Sequence, residues 1–306
     1  MERREIAAVL ASAGLRPQHH FGQNFMVDQR ILAAIVEAGE VQPGDIVLEV
    51  GPGVGNLTRQ LSQAAGEGAV LAVDIDRKLL PAARAHHAAL KNVTWMEADV
   101  LAGKHQVEPA VIAELHRLRQ SKSGGGVKLV SNLPYNAASP LIAELLVEMW
   151  RSVAQGAPLV FERLAFTVQW EVGMRMTAGP GTRDYGPLGI LIQSVAQAEV
   201  VRKIPPGAFW PPPKIHSALV VVVPEVERMR AIPDLPALQE LLAGIFSHRR
   251  QTLGNALKHF LGDRWTPQLK AQAGAQFDLS LRPENFAVPD LIEMAAMGRE
   301  NKRGID

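Results

Sequence analysis

No cysteine occurs anywhere in the 306 residues. That excludes disulfides, thiolate zinc sites and cysteine nucleophiles, and it fits a cytoplasmic protein. Charge of one sign is missing too: 32 Lys and Arg against 31 Asp and Glu leave a formal net charge of +1. Any nucleic-acid footprint therefore has to be a local patch. No apolar run approaches the ~20 residues of a membrane span, so a soluble chain with no membrane partner is expected. The N-terminal stretch MERREIAAVLASAGLRP joins charges to a short apolar run and reads as a small amphipathic helix, not as a cleaved leader. The nine histidines lack metal-ligand spacing apart from the adjacent pairs His19-His20 and His86-His87, and no metal site is expected.

What is present is an ordinary globular composition, 47% hydrophobic and 21% charged, on a chain long enough for one large α/β domain and a smaller one. Asp28 suits the N-cap of a helix over 28–38. The apolar run 46–50 (IVLEV) predicts a strand that enters Gly51-Pro-Gly-Val-Gly55 and then a helix over 56–64. Strand, glycine turn and helix let a backbone approach a ligand, although a structural tight turn has the same signature. A second strand, 69–73, ends in Asp74-Ile-Asp76, and a third, 93–96, ends in Glu97-Ala-Asp99. A fourth, 127–130, stops at Ser131 and is followed by Asn132, Leu133, Pro134 and Tyr135. Taken alone that tetrapeptide fits a strand-to-helix turn as well as a ligand loop. Ligands of open α/β sheets bind beyond the carboxyl ends of strands, where all these residues fall. The glycine spacing is G-x-G-x-G, not the dinucleotide G-x-G-x-x-G, and Pro52 removes a backbone donor that a pyrophosphate would use. The layout is that of an adenosine-binding methyltransferase domain, with S-adenosylmethionine as its cofactor.

Together with Phe21-Gly-Gln-Asn-Phe-Met26, Glu49-Val-Gly-Pro-Gly53, Asn132-Leu-Pro-Tyr-Asn136 and Pro211-Pro-Pro-Lys214, the chain resembles the ribosomal RNA adenine N6,N6-dimethyltransferase family. That family has a small-subunit branch and the Erm resistance branch. Further matches are Gln169, Glu171, Tyr185-Gly-Pro-Leu188, Phe246-Ser-His-Arg-Arg-Gln-Thr-Leu253 and Arg282-Pro-Glu-Asn285, so the resemblance runs from about residue 15 to 295. It implies a Rossmann-like class I S-adenosylmethionine-dependent methyltransferase sheet with a small all-helical C-terminal domain. By the resemblance, Asn24 and Met26 close over the cofactor, Gly51 and Gly53 approach it, and Asp74 accepts from ribose hydroxyls where the family usually has Glu. Asp99 accepts from the adenine amine, and Asn132 lies between cofactor and target base. The implied reaction is N6,N6-dimethylation of adjacent adenosines in small-subunit (16S) ribosomal RNA during ribosome biogenesis, on an immature small subunit. An Erm-like large-subunit activity and a non-catalytic assembly or RNA-binding factor are the alternatives. The sequence departs from the family pattern at His20, at Ala137-Ala-Ser139 and at Ile215-His216.

Adenine N6 is a poor nucleophile and a sulfonium is already a strong methyl donor, so the chemistry needs alignment more than activation. Asn132 and the backbone carbonyl of Leu133 or Pro134 are the acceptors for the N6 hydrogens, and no tuned general base is expected. Tyr135 would stack on the extruded adenine, a contact of roughly 1–3 kcal/mol. Phe209, in the proline-rich bend 205–214, reads either as the opposite wall for that base or as packing beneath the bend.

Elsewhere the pattern predicts a helix over 137–150 and strands over 164–168, 198–202 and 218–223. The loop 177–186, with Arg183 and Tyr185, reads as a mobile substrate-side loop, and 102–126 as an insertion of one helix and a flexible linker. Helices over 238–248, 249–261, 267–273 and 288–297 make up the small domain, so the expected division is 1–224 and 225–306. Within it Arg249 and Arg250, flanked by His248 and Lys258, are candidate phosphate contacts, and a monomer is expected.

Overall fold

In a computed structural model that describes residues 1–15, 24–103, 106–122, 124–156 and 159–300, nine strands are found: β1 (Phe25–Met26), β2 (Ile46–Val50), β3 (Ala69–Asp74), β4 (Val93–Glu97), β5 (Val127–Ser131), β6 (Phe161–Gln169), β7 (Ala196–Ile204), β8 (Phe209–Trp210) and β9 (Ser217–Pro224). The Phe21-Gly-Gln part of the expected cofactor loop, with His19 and His20, lies outside the described residues.

All five residues of β2 are buried, as a strand covered on both faces requires. It sits near the middle of a seven-stranded sheet of order β4-β3-β2-β5-β6-β9-β7. The neighbours from β4 through β6 run parallel, and β9 is antiparallel to β6. From β2 the chain steps outward to β3 and β4, then returns across β2 to place β5 on its other side. The order therefore reverses at β2/β5, and the crevice beyond their carboxyl ends is where such sheets bind ligands.

The segment 102–126 is not an insertion. Its helix, Pro109–Ser121, is the crossover that carries the chain from β4 to β5, and it packs on β2 and β3 through Val111, Leu115 and Leu118. A parallel neighbour needs a connection of this length. Other sheet-covering helices are Gln29–Ala38, capped by Asp28 on the Arg30 and Ile31 amides as expected, and Asn56–Ala65. The helix expected from 137 begins at Tyr135, because the Pro134 carbonyl accepts from the amides of both Ala137 and Ala138.

The chain divides into two units, Met1–Gly173 with Ala198–Pro224, and Met174–Gln197 with Glu225–Asp306. This differs from the single boundary expected at 224. The helix Pro187–Val195 buries Ile190, Leu191 and Ile192 and packs against the helices Leu235–Ser247 and Val288–Glu300, so its apolar face commits that segment to the second unit. Tyr185 is also buried there, with its phenol pushed up to about 12 by burial and by Asp290. It is a core residue, which corrects its assignment to a substrate-side loop. Arg249 and Arg250 lie in a turn and not on a helix, since the next helix starts only at Leu253.

Candidate active site

At the reversal point, β2 runs out into Gly51, whose φ of +71° suits glycine. A Cβ at Gly51 would lie 3.0 Å from the Pro134 ring, so the bare backbone is what lets the loop after β5 close against the loop after β2. Ser131 extends the same join: its hydroxyl donates to the Val50 carbonyl beyond the last β2–β5 ladder pair, Leu48 with Leu129. Below the glycine turn, the His87 ring bonds the Val54 carbonyl at 3.0 Å and fills the space that a Cβ on Gly55 would need. Asn56 donates to the Met26 carbonyl at 2.7 Å, which fastens β1 to the helix that follows the turn.

These loops surround a cavity of about 900 Å³ within the first unit. Asn24, Met26, Gly51, Gly53, Asp74, Asp99, Asn132, Leu133, Pro134 and Tyr135 all line it, so residues named from scattered positions in the chain share one wall system. Arg249 and Arg250 belong to the second unit and are not among the lining residues; the Arg249 guanidinium donates to the Arg183 carbonyl. Phe209 touches the cavity's edge, but its ring is 1% exposed and packed with Leu32, Ile35, Val130 and Leu219. It packs beneath the bend and also belongs to the lining of the cavity, so both readings of this residue stand.

Two acids lie at the carboxyl ends of β2 and β3. Asp74 accepts from the Asp76 amide at 3.0 Å, and burial raises its carboxyl above the ordinary range. Glu49, the one charged residue of β2, is 1% exposed, and its Oε2 has no hydrogen-bond partner. Burial pushes its carboxyl up to about 8; hydrogen bonding with Thr58 offsets part of that rise, and the nearby Asp74 carboxylate adds to it. An orphaned carboxylate oxygen on a cavity wall is costly unless a ligand supplies N–H donors or positive charge. The sequence reading includes Glu49 in its motif without a role, although an acid inside an otherwise apolar strand is the signal that marks it.

Asn132 is held at both ends of its amide. Its Nδ2 donates to the Asn24 carbonyl at 3.3 Å, and its Oδ1 accepts from the Thr167 hydroxyl. A carbonyl can only accept, so the Asn24 contact decides which way the amide faces. Tyr135 shares a 2.6 Å hydrogen bond with the Ser217 hydroxyl, and burial raises its phenol further, so the ring is neutral at pH 7. The Pro134 carbonyl is taken up by the helix it starts, which leaves Leu133 as the backbone acceptor of the pair named from sequence. Thr167 and Ser217 are both fully buried and were not singled out from sequence.

What this site can do chemically is take a ligand with one cationic, N–H-rich end near Glu49 and hydroxyls near Asp74, and present it to a second, flat group beside Asn132 and Tyr135. The volume is at the upper end for small-molecule sites.

The chain's relatives are consistent with that geometry. A family model described as "Ribosomal RNA adenine dimethylase" matches residues 14–276. A "Ribosomal RNA small subunit methyltransferase A" of Magnetococcus marinus is 36% identical over 292 residues, 95% of each chain. One of Chromobacterium violaceum is 37% identical over 279 residues, 91% of this chain and 94% of that one. Among solved structures, a dimethyladenosine transferase from Plasmodium falciparum superposes with a TM-score of 0.64 at 22% identity, covering 91% of this chain and 98% of that one. The 23S rRNA methyltransferase ErmE gives 0.57 at 22%, covering 89% and 100%. At that identity the two structures speak to the fold alone.

Proposed function

Because the chain belongs to the ribosomal RNA adenine dimethylase family, we propose that it transfers methyl groups from S-adenosylmethionine to N6 of adjacent adenosines in small-subunit ribosomal RNA. The observation that carries this reading is the single cavity lined by Gly51, Asp74, Asp99 and the Asn132–Tyr135 loop. When bound, S-adenosylmethionine supplies a sulfonium-activated methyl group.

The chain's own residues do the rest. Glu49 ionises against the methionine ammonium, Asp74 accepts from the ribose hydroxyls, and Asp99 accepts from the adenine amine. Asn24 and Met26 cover the cofactor. Asn132 Oδ1, with one lone pair committed to Thr167, offers the other to an N6 hydrogen of the target adenine, and the Leu133 carbonyl takes the second hydrogen. Tyr135 stacks on the flipped base and fixes its plane. Holding N6 in line with the methyl carbon is the main source of acceleration. The N6 proton is acidic once the nitrogen is alkylated, so it leaves without a tuned base. Arg249 and Arg250 contact RNA phosphates, each adding a salt-sensitive increment. The working form is a cytoplasmic monomer acting on an immature small subunit.

Radiolabelled methyl transfer to small ribosomal subunits from a strain lacking the modification tests this. Incorporation into the small-subunit RNA as dimethyladenosine is expected. Intact cofactor binding with no incorporation, or label in large-subunit RNA instead, would overturn the reading.

A further inference from the structure

We infer that Thr167 and Ser217, two buried hydroxyls outside the cofactor and base contacts, are positioning residues that set the orientation of Asn132 and Tyr135 for methyl transfer. The inference rests on the function proposed above and assigns that site a supporting layer.

It follows from the β6–β9 register. Thr167 lies opposite Leu219 and Gln169 lies opposite Ser217 in this antiparallel pair. Side chains two apart on a strand share a face, and so do directly opposed residues, which puts Thr167 and Ser217 on one face as diagonal neighbours. Diagonal neighbours stand roughly 7–8 Å apart. The two side chains they hold, Asn132 and Tyr135, come from one short loop on β5's far end, and β5 itself pairs with β6 through Ser131 and Phe166. Two adjacent interior strands thus carry both anchors for one loop.

Each anchor controls a different coordinate. Thr167 donates to Oδ1 of Asn132 while Asn24 receives from Nδ2, so the amide can neither flip nor swing, and its free lone pair has one direction. Ser217 holds the Tyr135 hydroxyl at the distal end of the ring, which fixes the direction of the ring's long axis and so where its face lies in the site. Neither hydroxyl has solvent access that would let water replace it. Removing an anchor leaves the cofactor's main contacts with Glu49, Asp74 and Asp99 in place. The loss therefore falls on kcat and not on cofactor affinity.

Steady-state transfer to unmodified small subunits, with cofactor affinity measured by calorimetry, separates the cases. Thr167→Val keeps shape and removes the donor; kcat is expected to fall about 10- to 100-fold, the cost of a small misplacement of reacting groups, with cofactor Kd within about threefold. Thr167→Ser restores kcat to within about threefold of wild type. Ser217→Ala and Tyr135→Phe are each expected to fall about 3- to 10-fold, and the double variant falls no further than the worse single one, as a shared hydrogen bond requires. The chain has only two tyrosines, so 3-fluorotyrosine labelling gives two fluorine signals, one of them from the buried Tyr185. The Tyr135 signal shifts and sharpens in Ser217→Ala while that of Tyr185 stays.

Wild-type kcat in Thr167→Val and Ser217→Ala would overturn the inference, as would a Thr167→Ser variant as slow as Thr167→Val. So would additive losses in the Ser217/Tyr135 cycle. Asn132→Ala and Tyr135→Ala run alongside keep the two readings apart. If they are slow while Thr167→Val and Ser217→Ala are not, only this inference falls. If they too turn over normally, the site assignment itself is wrong.

Discussion

Two buried acids, one at each end of β2, are treated in opposite ways. At the amino end Asp45 is fully engaged: Lys128 Nζ stands 2.7 Å from Oδ2, the Gln42 amide donates to Oδ2 at 2.8 Å and the Gly126 amide to Oδ1 at 2.9 Å. At the carboxyl end, four residues on, Glu49 is as deeply buried but has an oxygen with no partner and a carboxyl raised to about 8. The first arrangement satisfies its acid within the protein; the second leaves one oxygen free on the wall of the cavity. Two acids of similar burial flank or occupy β2, and what distinguishes them is satisfaction: both Asp45 oxygens have partners, while Glu49 Oε2 has none beside the hydrogen bonding that Thr58 gives this carboxyl.

Asp45 is the more costly of the two acids to remove. Asp45→Ala leaves the Lys128 ammonium, 8% exposed, with the Glu40 carbonyl but without its counter-charge, and loss of one member of a buried pair costs about 3–5 kcal/mol. Urea unfolding should register that loss, while the folded fraction binds cofactor within about twofold of wild type. Tyr135→Ala probes the cavity instead: loss of a stack of roughly 1–3 kcal/mol lowers kcat about 10- to 100-fold in the subunit assay, with cofactor affinity within about threefold. Collapse of cofactor binding would instead place the ring on the cofactor.

Glu49→Gln gives a smaller and opposite sign of effect. With an ordinary value of 4.5 unfolded and about 8 folded, Glu49 holds a proton in the native state that the unfolded chain has already lost. Its contribution therefore makes the cofactor-free protein less stable as pH rises from about 4.5 to 8. The amide removes that slope, so the variant should be more stable than wild type at pH 8.5 by about 1–3 kcal/mol in thermal melts without cofactor. The mildest expected change is at Arg250, exposed in the second unit: Arg250→Ala leaves stability unchanged and makes the log-log salt slope of RNA binding shallower by about 1.

The residues around the cavity were legible because each sits where an apolar run breaks off. Asp74 closes β3, and Gly51, Asp99 and Asn132 follow β2, β4 and β5 directly or within two residues, and a local pattern is enough to find such positions. Thr167 and Ser217 were not legible, since a threonine in FERLAFTVQ and a serine in SALVVVVP look like ordinary strand residues. Only the pairing of two strands distant in the chain makes them neighbours. The same holds for Tyr185, whose loop setting suggested a substrate-side role while tertiary packing buries it. The allegiance of Pro187–Val195 to the second unit and the crossover role of Pro109–Ser121 are also properties of contacts far apart in sequence, beyond the reach of periodicity.

The proposed meeting of Glu49 with the cofactor ammonium can be followed by counting protons. Cofactor binding at pH 7 is followed by titration calorimetry in two buffers of different ionisation enthalpy, for wild type and Glu49→Gln. A carboxyl near 8 that must ionise to meet the ammonium should release close to one proton per cofactor bound, and the variant none. Wild-type binding with no proton release, or equal release in both proteins, would contradict the account.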